Sequence, residues 1–479
     1  MSSSRTRRDF MKITAAGVAT AAVAEALPAV ANSLINPTGP NSPVKVRQTS
    51  ESKRYIEEGS VMWRPEGGAP TNSISIDENT KFQEILGFGG AFTDAACHNF
   101  GGLGKQQREQ LLHEFFDPQE MNFSVGRTCI GASDYSCKAF SYSDGEADLE
   151  LKRFSIDHDR EHILPALRAS REINPELFLL GSPWSPPGWM KANGTMLGGS
   201  MKKKFYGAYA KYMIRFLQAY RAEGVNVNAI TSQNEVDTDQ DGAMPACLWG
   251  QEYEIEFITR QLGPELAKSG LNTKIWLLDH NYNLWGRVLG QLEDPALNKY
   301  VDGVAWHGYA GQPTAMSKVR DAYPDKHMYW TEGGPDYTDP HYMTDWTKWS
   351  STFTGILRNW SRCIIGWNLA LDEVGKPNIG PFPCGGIVTI DSKTKEIRRS
   401  GMYWAFAHYS RAVKRGARRV ESTGEIKDVS HVAFINPDGS RVAVVTNIGG
   451  PIKVSLKANG MAAEVSLPAD SVSTLTWQG

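Results

Sequence analysis

Between residues 81 and 400 the chain alternates two hydrophobic periods. Short apolar, β-branched or aromatic runs fall at 85–88, 124–130, 177–181, 229–233, 274–279, 303–306, 327–330 and 363–368. Each has the length of a buried strand. Helical patterns separate most of them, most clearly at 157–173 and 202–223. In the second, Phe205, Tyr209, Tyr212, Met213, Phe216 and Tyr220 recur at steps of three and four residues, which lays one apolar stripe along a helix. Eight strand-then-helix units in series predict a parallel sheet closed on itself, a (β/α)8 TIM barrel. An open doubly wound sheet is the alternative. Against it, the run Gly87-Phe88-Gly89-Gly90-Ala91-Phe92 lacks the third glycine of a dinucleotide-binding turn.

The pattern changes toward both ends. Strand-like pieces lie at 44–47, 61–64 and 73–76. After residue 400, runs at 431–435 and 441–446 flank the turn Asn436-Pro437-Asp438-Gly439, and further strand patterns follow at 454–456, 463–467 and 471–477. Together they predict a side β-sandwich formed from both chain ends. The expected organisation is a leader at 1–31, a linker rich in Asn, Pro, Gly and Ser at 32–43, sandwich strands at 44–80, the barrel at 81–400 and the remaining sandwich at 401–479.

The leader carries Thr6-Arg7-Arg8-Asp9-Phe10-Met11-Lys12, an Ala-rich apolar stretch and small residues at Ala29-Val30-Ala31. This reads as a twin-arginine signal peptide cleaved after Ala31. No later run reaches the ~18 apolar residues of a membrane span. The expectation is a folded, exported protein, periplasmic or extracellular, with no stable membrane anchor after cleavage.

Composition narrows the partners. A formal net charge of −2 over 479 residues gives no basic field, so nucleic acid is not an expected partner. The 14 tryptophans can fill the core of a chain this long, but their faces also stack on sugar rings. Six cysteines show no CxxC spacing; their pairing is open, a zinc cluster is not indicated and no cofactor is expected.

A barrel places its active residues at the C-terminal ends of its strands. Those ends carry Thr93 and Asp94, Arg127 and Asp134, Trp184, Asn234 and Glu235, Asp279 and His280, His307, Glu332, and Trp367 and Asn368. Two of them are glutamates that close apolar strands, a pattern that suits paired acid/base and nucleophile chemistry. A metal-dependent hydrolase would need a larger His/Asp cluster than Asp279 and His307. Asp237-Thr238-Asp239-Gln240-Asp241-Gly242 opens like a calcium loop, but its twelfth position is Leu248 rather than glutamate. It reads better as an acidic or solvated loop on the leaving-group side.

Five segments, in this order, complete the picture: Gly87-Phe88-Gly89-Gly90-Ala91-Phe92-Thr93-Asp94, Ser182-Pro183-Trp184-Ser185-Pro186-Pro187-Gly188-Trp189, Asn234-Glu235, Thr331-Glu332-Gly333 and Gly366-Trp367-Asn368-Leu369-Ala370-Leu371-Asp372. The chain resembles glycoside hydrolase family 30, the glucosylceramidase-like retaining β-glycosidases. The resemblance implies a barrel with a two-ended sandwich, no metal and a β-linked glycan or glycoside as substrate. It implies Glu235 as general acid/base, with a pKa raised by burial and an anionic neighbour, and Glu332 as nucleophile, with Arg127 among its hydrogen-bond donors. Asn234 would hold the sugar 2-hydroxyl, Asp134 would hold other hydroxyls, and Trp184 and Trp367 would line the pocket. His307 would act as a base, an orienting group or a rim histidine. Asn378 would rim the site or be an ordinary turn residue, and Asp94 suits helix capping better than ligand contact.

Val236 stands where many relatives have proline, which marks a divergent subgroup. The expected activity is that of a β-glucosidase or glucosylceramidase-like, exo-acting enzyme. Endo-β-1,6-glucanase, β-xylosidase and β-fucosidase action are alternatives on the same scaffold. A non-catalytic carbohydrate-binding protein is a remote one, because binding alone does not need two carboxylates set to ionise differently.

Overall fold

The computed structural model describes residues 40–67 and 72–479. The twin-arginine stretch, the cleavage position after Ala31 and most of the 32–43 segment lie outside the described residues. Among the described residues no helix is long and apolar enough to cross a membrane, and all six cysteines are free.

Eight parallel strands close into a barrel in chain order: β1 (Gly87–Phe92), β2 (Val125–Cys129), β3 (Phe178–Ser182), β4 (Ala229–Thr231), β5 (Lys274–Asn281), β6 (Val301–His307), β7 (His327–Glu332) and β8 (Ser361–Gly366). β8 pairs back onto β1, with Ile364 opposite Phe88 and Gly366 opposite Gly90. The expected strands are all present. β1 runs further than its hydrophobic signal because its glycines are strand residues rather than a turn. A Cβ at Gly89 would stand 1.8 Å from the carbonyl oxygen of Val125, so only glycine lets β1 and β2 approach this closely.

The stripe expected at 202–223 is the buried face of the helix Tyr206–Ala222, preceded by one short turn at Lys203–Phe205. Tyr209, Tyr212, Met213, Phe216 and Tyr220 are fully buried against the barrel wall.

Inside the barrel, the two-residue period of the strands builds layers. Val125, Leu180, Ala229, Ala305 and Tyr329 form part of an apolar layer. Two residues further along the same strands stand Arg127, Ser182, Thr231, His307 and Thr331, all buried. A polar layer therefore caps an apolar plug at the end of the barrel where the site forms. β5 breaks the period. Leu278 and Asp279 take left-handed φ values of 75° and 50°, and the pairing with β6 skips from Leu278 to His280. This bulge turns Asp279, rather than Leu278, into the polar layer.

Ten further strands hydrogen-bond in one continuous order that mixes both chain ends: Lys53–Val61, Val44–Ser50, Ser471–Gln478, Ser440–Asn447, Val429–Ile435, Arg418–Thr423, Ser73–Glu84, Ile452–Ala458, Met461–Leu467 and Arg64–Pro65. Residues from both halves of that order, such as Val46, Leu475, Ile74, Leu456 and Val465, share a single core, so the sheet closes over itself as a sandwich. Lys53–Val61 and Arg418–Thr423 had no clear sequence signal. Lys53–Val61 lies at the edge of the sheet and is mostly exposed, so its charged residues face water.

The helix Gly401–Ser410 sits at the seam between barrel and sandwich. Phe406 packs on Phe123 and Phe353. His408 is fully buried, with Nε2 at 2.8 Å from the Thr49 hydroxyl and Nδ1 at 2.8 Å from that of Thr474. Burial, helped by the Arg411 charge, lowers the His408 pKa to about 3. The unfolded chain, with an ordinary histidine near pH 6.5, takes up a proton that the native state refuses. The stability contributed by neutral His408 is therefore complete above that pH and is lost as the pH falls toward 3, by at most about 1.4 kcal/mol per pH unit. Urea unfolding at pH 7.5 and pH 5 should show a larger loss for the wild type than for His408→Gln. Equal losses would show that this histidine does not carry the acid sensitivity.

Candidate active site

At the C-terminal mouth of the barrel lies a cavity of about 520 Å³, lined among others by Asp134, Trp184, Asn234, Glu235, Glu332 and Trp367. Strand geometry places each of them. Asn234 and Glu235 follow β4, Glu332 ends β7, and Trp367 follows β8. Gly334 lets the chain beyond Glu332 pass under Trp367, since a Cβ there would stand 1.9 Å from the Trp367 carbonyl oxygen. Glu235 itself adopts φ 53°, a left-handed conformation unusual for a side-chain-bearing residue, and its N–H donates to the Asp279 carbonyl at 3.0 Å.

Beneath the cavity floor Arg127 is completely buried. Its guanidinium donates to Glu332, to Asp279 Oδ2 at 2.7 Å and to Asn234 Oδ1 at 2.7 Å. Its Cζ lies 4.7 Å from the centre of the Trp184 ring and 5.5 Å from that of Trp367, and those two indoles stack with their centres 5.0 Å apart. A guanidinium only donates, so the Asn234 oxygen must face Arg127 and its NH2 is left for a ligand.

Asp279 is the second hub. Besides Arg127, it accepts from Ser182 at 2.6 Å, Thr231 at 3.0 Å, Thr331 at 2.7 Å and His307 Nε2 at 3.0 Å. Burial alone would raise its pKa. The Arg127 charge and these hydrogen bonds more than reverse that and hold it far below the usual carboxylate range.

His307 joins the two glutamates. Its Nδ1 lies 3.2 Å from Glu235 Oε1 and 3.7 Å from Glu332 Oε1. Burial lowers its pKa, but the Glu332 charge and the bonds to Asp279 and Glu235 outweigh that and raise it to about 9. The converse holds at Glu235. Burial pushes its pKa up, but the His307 hydrogen bond and the charges of His307, His280 and Arg127 bring it below the ordinary value. This corrects the expectation that burial and an anionic neighbour raise Glu235, which did not count two histidines beside it. With the His307 pKa raised and that of Glu235 lowered, the proton of the Glu235–His307 pair favours the imidazole.

Other expectations divide by position. Asp134 is buried on the cavity wall with Oδ1 unpartnered, and burial followed by the Glu332 and Glu235 charges raises its pKa. It suits a hydroxyl ligand. Arg127 and His307, expected among the substrate-binding residues, lie under the carboxylates rather than on the wall and act through them. Asn378 does not line the cavity. It is a turn residue that accepts from Gly380 N–H at 2.6 Å and donates to the Phe382 carbonyl at 2.8 Å, shaping the loop that brings Phe382 and Cys384 to the rim. Asp94 follows the N-cap Thr93 and binds His158 and the Cys137 N–H. The loop after Glu235 does border the cavity, but through Thr238 and Gln240 rather than its aspartates; Gln240 donates to Glu235 Oε2 at 3.2 Å.

Sequence reasoning assigned no role to Asp279, His280 or Tyr309. Tyr309 donates to Glu332 Oε1 at 3.2 Å. The strand-end position of Asp279 and His280 was visible, but the bulge that aims them was not. His280 lines the cavity, and with Glu235 and His307 it brings ligand atoms within 4.8 Å of one another, a set able to hold a metal ion.

Two family models match the chain: the glycosyl hydrolase family 30 TIM-barrel domain over residues 85–413 and the glycosyl hydrolase family 30 beta sandwich domain over residues 416–475. The chain is 33% identical to an endo-1,6-beta-D-glucanase of Neurospora crassa, over 82% of this chain and 85% of that one. It is 30% identical to putative glucosylceramidase 3 of Caenorhabditis elegans, over 85% and 82%. Among solved structures, SrfJ from Salmonella typhimurium superposes with a TM-score of 0.87 at 28% identity, covering 91% of this chain and all of that one. With the barrel, the sandwich and a cavity built around two strand-end glutamates, the chain belongs to glycosyl hydrolase family 30 and is a glycoside hydrolase.

Proposed function

We propose that the enzyme cleaves β-glucosides of primary alcohols with retention, using Glu332 as nucleophile and Glu235 as acid/base. The observation that carries the retaining reading is the single His307 nitrogen against both carboxylates, at 3.2 and 3.7 Å. Even stretched in line through that nitrogen, the two oxygens reach only the lower edge of the roughly 6.5–9.5 Å used by inverting enzymes. Any bend brings them toward the roughly 5–5.5 Å of retention.

In the first step a Glu332 oxygen bonds to the anomeric carbon, the bond to the leaving oxygen breaks, and the proton of the Glu235–His307 pair passes through Glu235 to that oxygen. Among the influences that hold the proton on His307, the Glu332 charge is the largest. That charge disappears as the ester forms, so the proton is released as the leaving group needs it. In the second step Glu235 takes a proton from water, the hydroxide bonds to the anomeric carbon, and Glu332 departs as a carboxylate. Its returning charge restores the proton to His307. In this reading the Asn234 NH2, whose oxygen is taken up by Arg127, donates to the 2-hydroxyl, a contact that strengthens in the transition state.

The substrate reading rests on what the relatives' names share. Both 1,6-β-glucan and glucosylceramide carry a β-glucosyl unit on the oxygen of a CH2–OH group. Such a linkage has one more rotatable bond than a link to a ring hydroxyl. It gives the leaving group freedom to turn within a cavity lined by Gln240, Met244, Tyr309 and Phe382.

Three outcomes are expected. Glu332→Gln should lose at least about a thousandfold in kcat/KM on every substrate, whereas Glu235→Ala should lose about 10²–10⁴-fold on alkyl glucosides and little on dinitrophenyl glucoside, which needs no proton. Equal losses on both substrates would contradict the role of Glu235. His307→Asn should follow the Glu235 pattern more weakly, and an indiscriminate loss would make His307 merely structural. Among glucose disaccharides, the 1,6-linked one should be cleaved faster than the 1,3- and 1,4-linked ones. Preference for either of those, or for xylosides, would overturn the substrate assignment.

A further inference from the structure

The acid/base carboxylate is flanked by two histidines arranged in an unusually regular way. His307 Nε2 meets Asp279 at 3.0 Å and His280 Nε2 meets Asp237 at 2.5 Å. An ionised carboxylate accepts and does not donate, so each Nε2 carries the hydrogen and each Nδ1 is turned toward Glu235. His307 Nδ1 lies 3.2 Å and His280 Nδ1 3.4 Å from the same Glu235 oxygen. His280 is 6% exposed, and its Nδ1 is buried with no hydrogen-bond partner. Carboxylates that fix the far nitrogens of two imidazoles are the usual outer support of a metal centre.

We infer that His280 Nδ1, His307 Nδ1 and a Glu235 oxygen form a site for one divalent cation of the zinc class, and that its occupancy switches off the acid/base carboxylate. Two imidazoles and a carboxylate suit zinc or its neighbours in the transition series, whereas calcium and magnesium prefer oxygen alone. The cavity above Glu235 leaves room for water as a fourth ligand. The ion takes the place of the one proton in the Glu235–His307 contact, and that proton goes to solvent with no change of oxidation state. With its oxygen on the metal, Glu235 has no proton for a leaving group. The block on turnover rests on the glycosidase reading above, whereas binding of the ion does not.

The test is calorimetric titration of zinc chloride into the full chain, previously treated with EDTA, in a buffer that does not bind metal. Visible absorption of the cobalt(II) form reports the ligand set, and glycosidase assays run alongside. One ion per chain is expected, with the intense d–d bands of a four- or five-coordinate site. The EDTA-treated enzyme should be active, and inhibition by zinc should be relieved by EDTA. His280→Asn should bind at least tenfold more weakly. Asp237→Asn, on an exposed side chain that touches the site through His280, should also bind more weakly and guards against a folding defect in the first variant. No heat and no cobalt bands at millimolar metal, or wild-type affinity in both variants, would overturn the site. Loss of activity on chelation would overturn the inhibitory role by showing that the ion serves the reaction. Zinc binding without inhibition would leave the site standing and count against Glu235 as the acid.

Discussion

One buried cation organises this enzyme. Arg127 sits at zero exposure in the barrel with Asp279, Glu332 and Asn234 around it. A charge in that place is tolerable only because opposite charges meet it, and leaving it unpaired would cost several kcal/mol. The demand runs both ways. Glu332 is held in place by the cation, the Asn234 amide is turned by it, and Asp279 stays ionised because of it. Ionised Asp279 then fixes His307, and His307 fixes the proton of Glu235. The two glutamates, far apart in sequence, thus have their chemistry set through one connected group of charges.

Much of this was legible in the sequence because it follows from periodicity. Eight apolar runs separated by helical patterns implied the barrel, and the glutamates closing β4 and β7 implied the site. The polar layer was harder to see, since Ser182, Thr231 and Thr331 look like ordinary small strand residues until the layers are stacked. Asp279 was hidden by its bulge. An uninterrupted two-residue period from Trp276 points Leu278 inward and Asp279 outward, and only the left-handed backbone at those two positions reverses this. β1 was read short because glycines add nothing to the hydrophobic signal, whereas here they let strands close up.

The raised pKa expected for Glu235 failed for a related reason. It was argued from burial and one anionic neighbour, but the neighbours that decide the matter come from β5 and β6. His307, with a contribution from His280, shifts the balance of the proton from the carboxylate toward an imidazole. In the proposed mechanism this is compatible with an acid role, because the Glu332 charge that holds the proton on His307 would be consumed in the first step. The same two histidines, held at their far nitrogens by carboxylates, give this centre the donor set of a metal site, and an ion bound there would take the position of the shared proton.

Glu235 and Glu332, set on a single imidazole nitrogen, are proposed to act by double displacement. Proton NMR during cleavage of an aryl β-glucoside tests it most directly, because the anomeric proton of the released sugar can be read before mutarotation. Double displacement at a β-glucoside requires the β-anomer to appear first, with the α-anomer growing in later. Initial release of the α-anomer would mean direct displacement by water and would rule out Glu332 as a nucleophile.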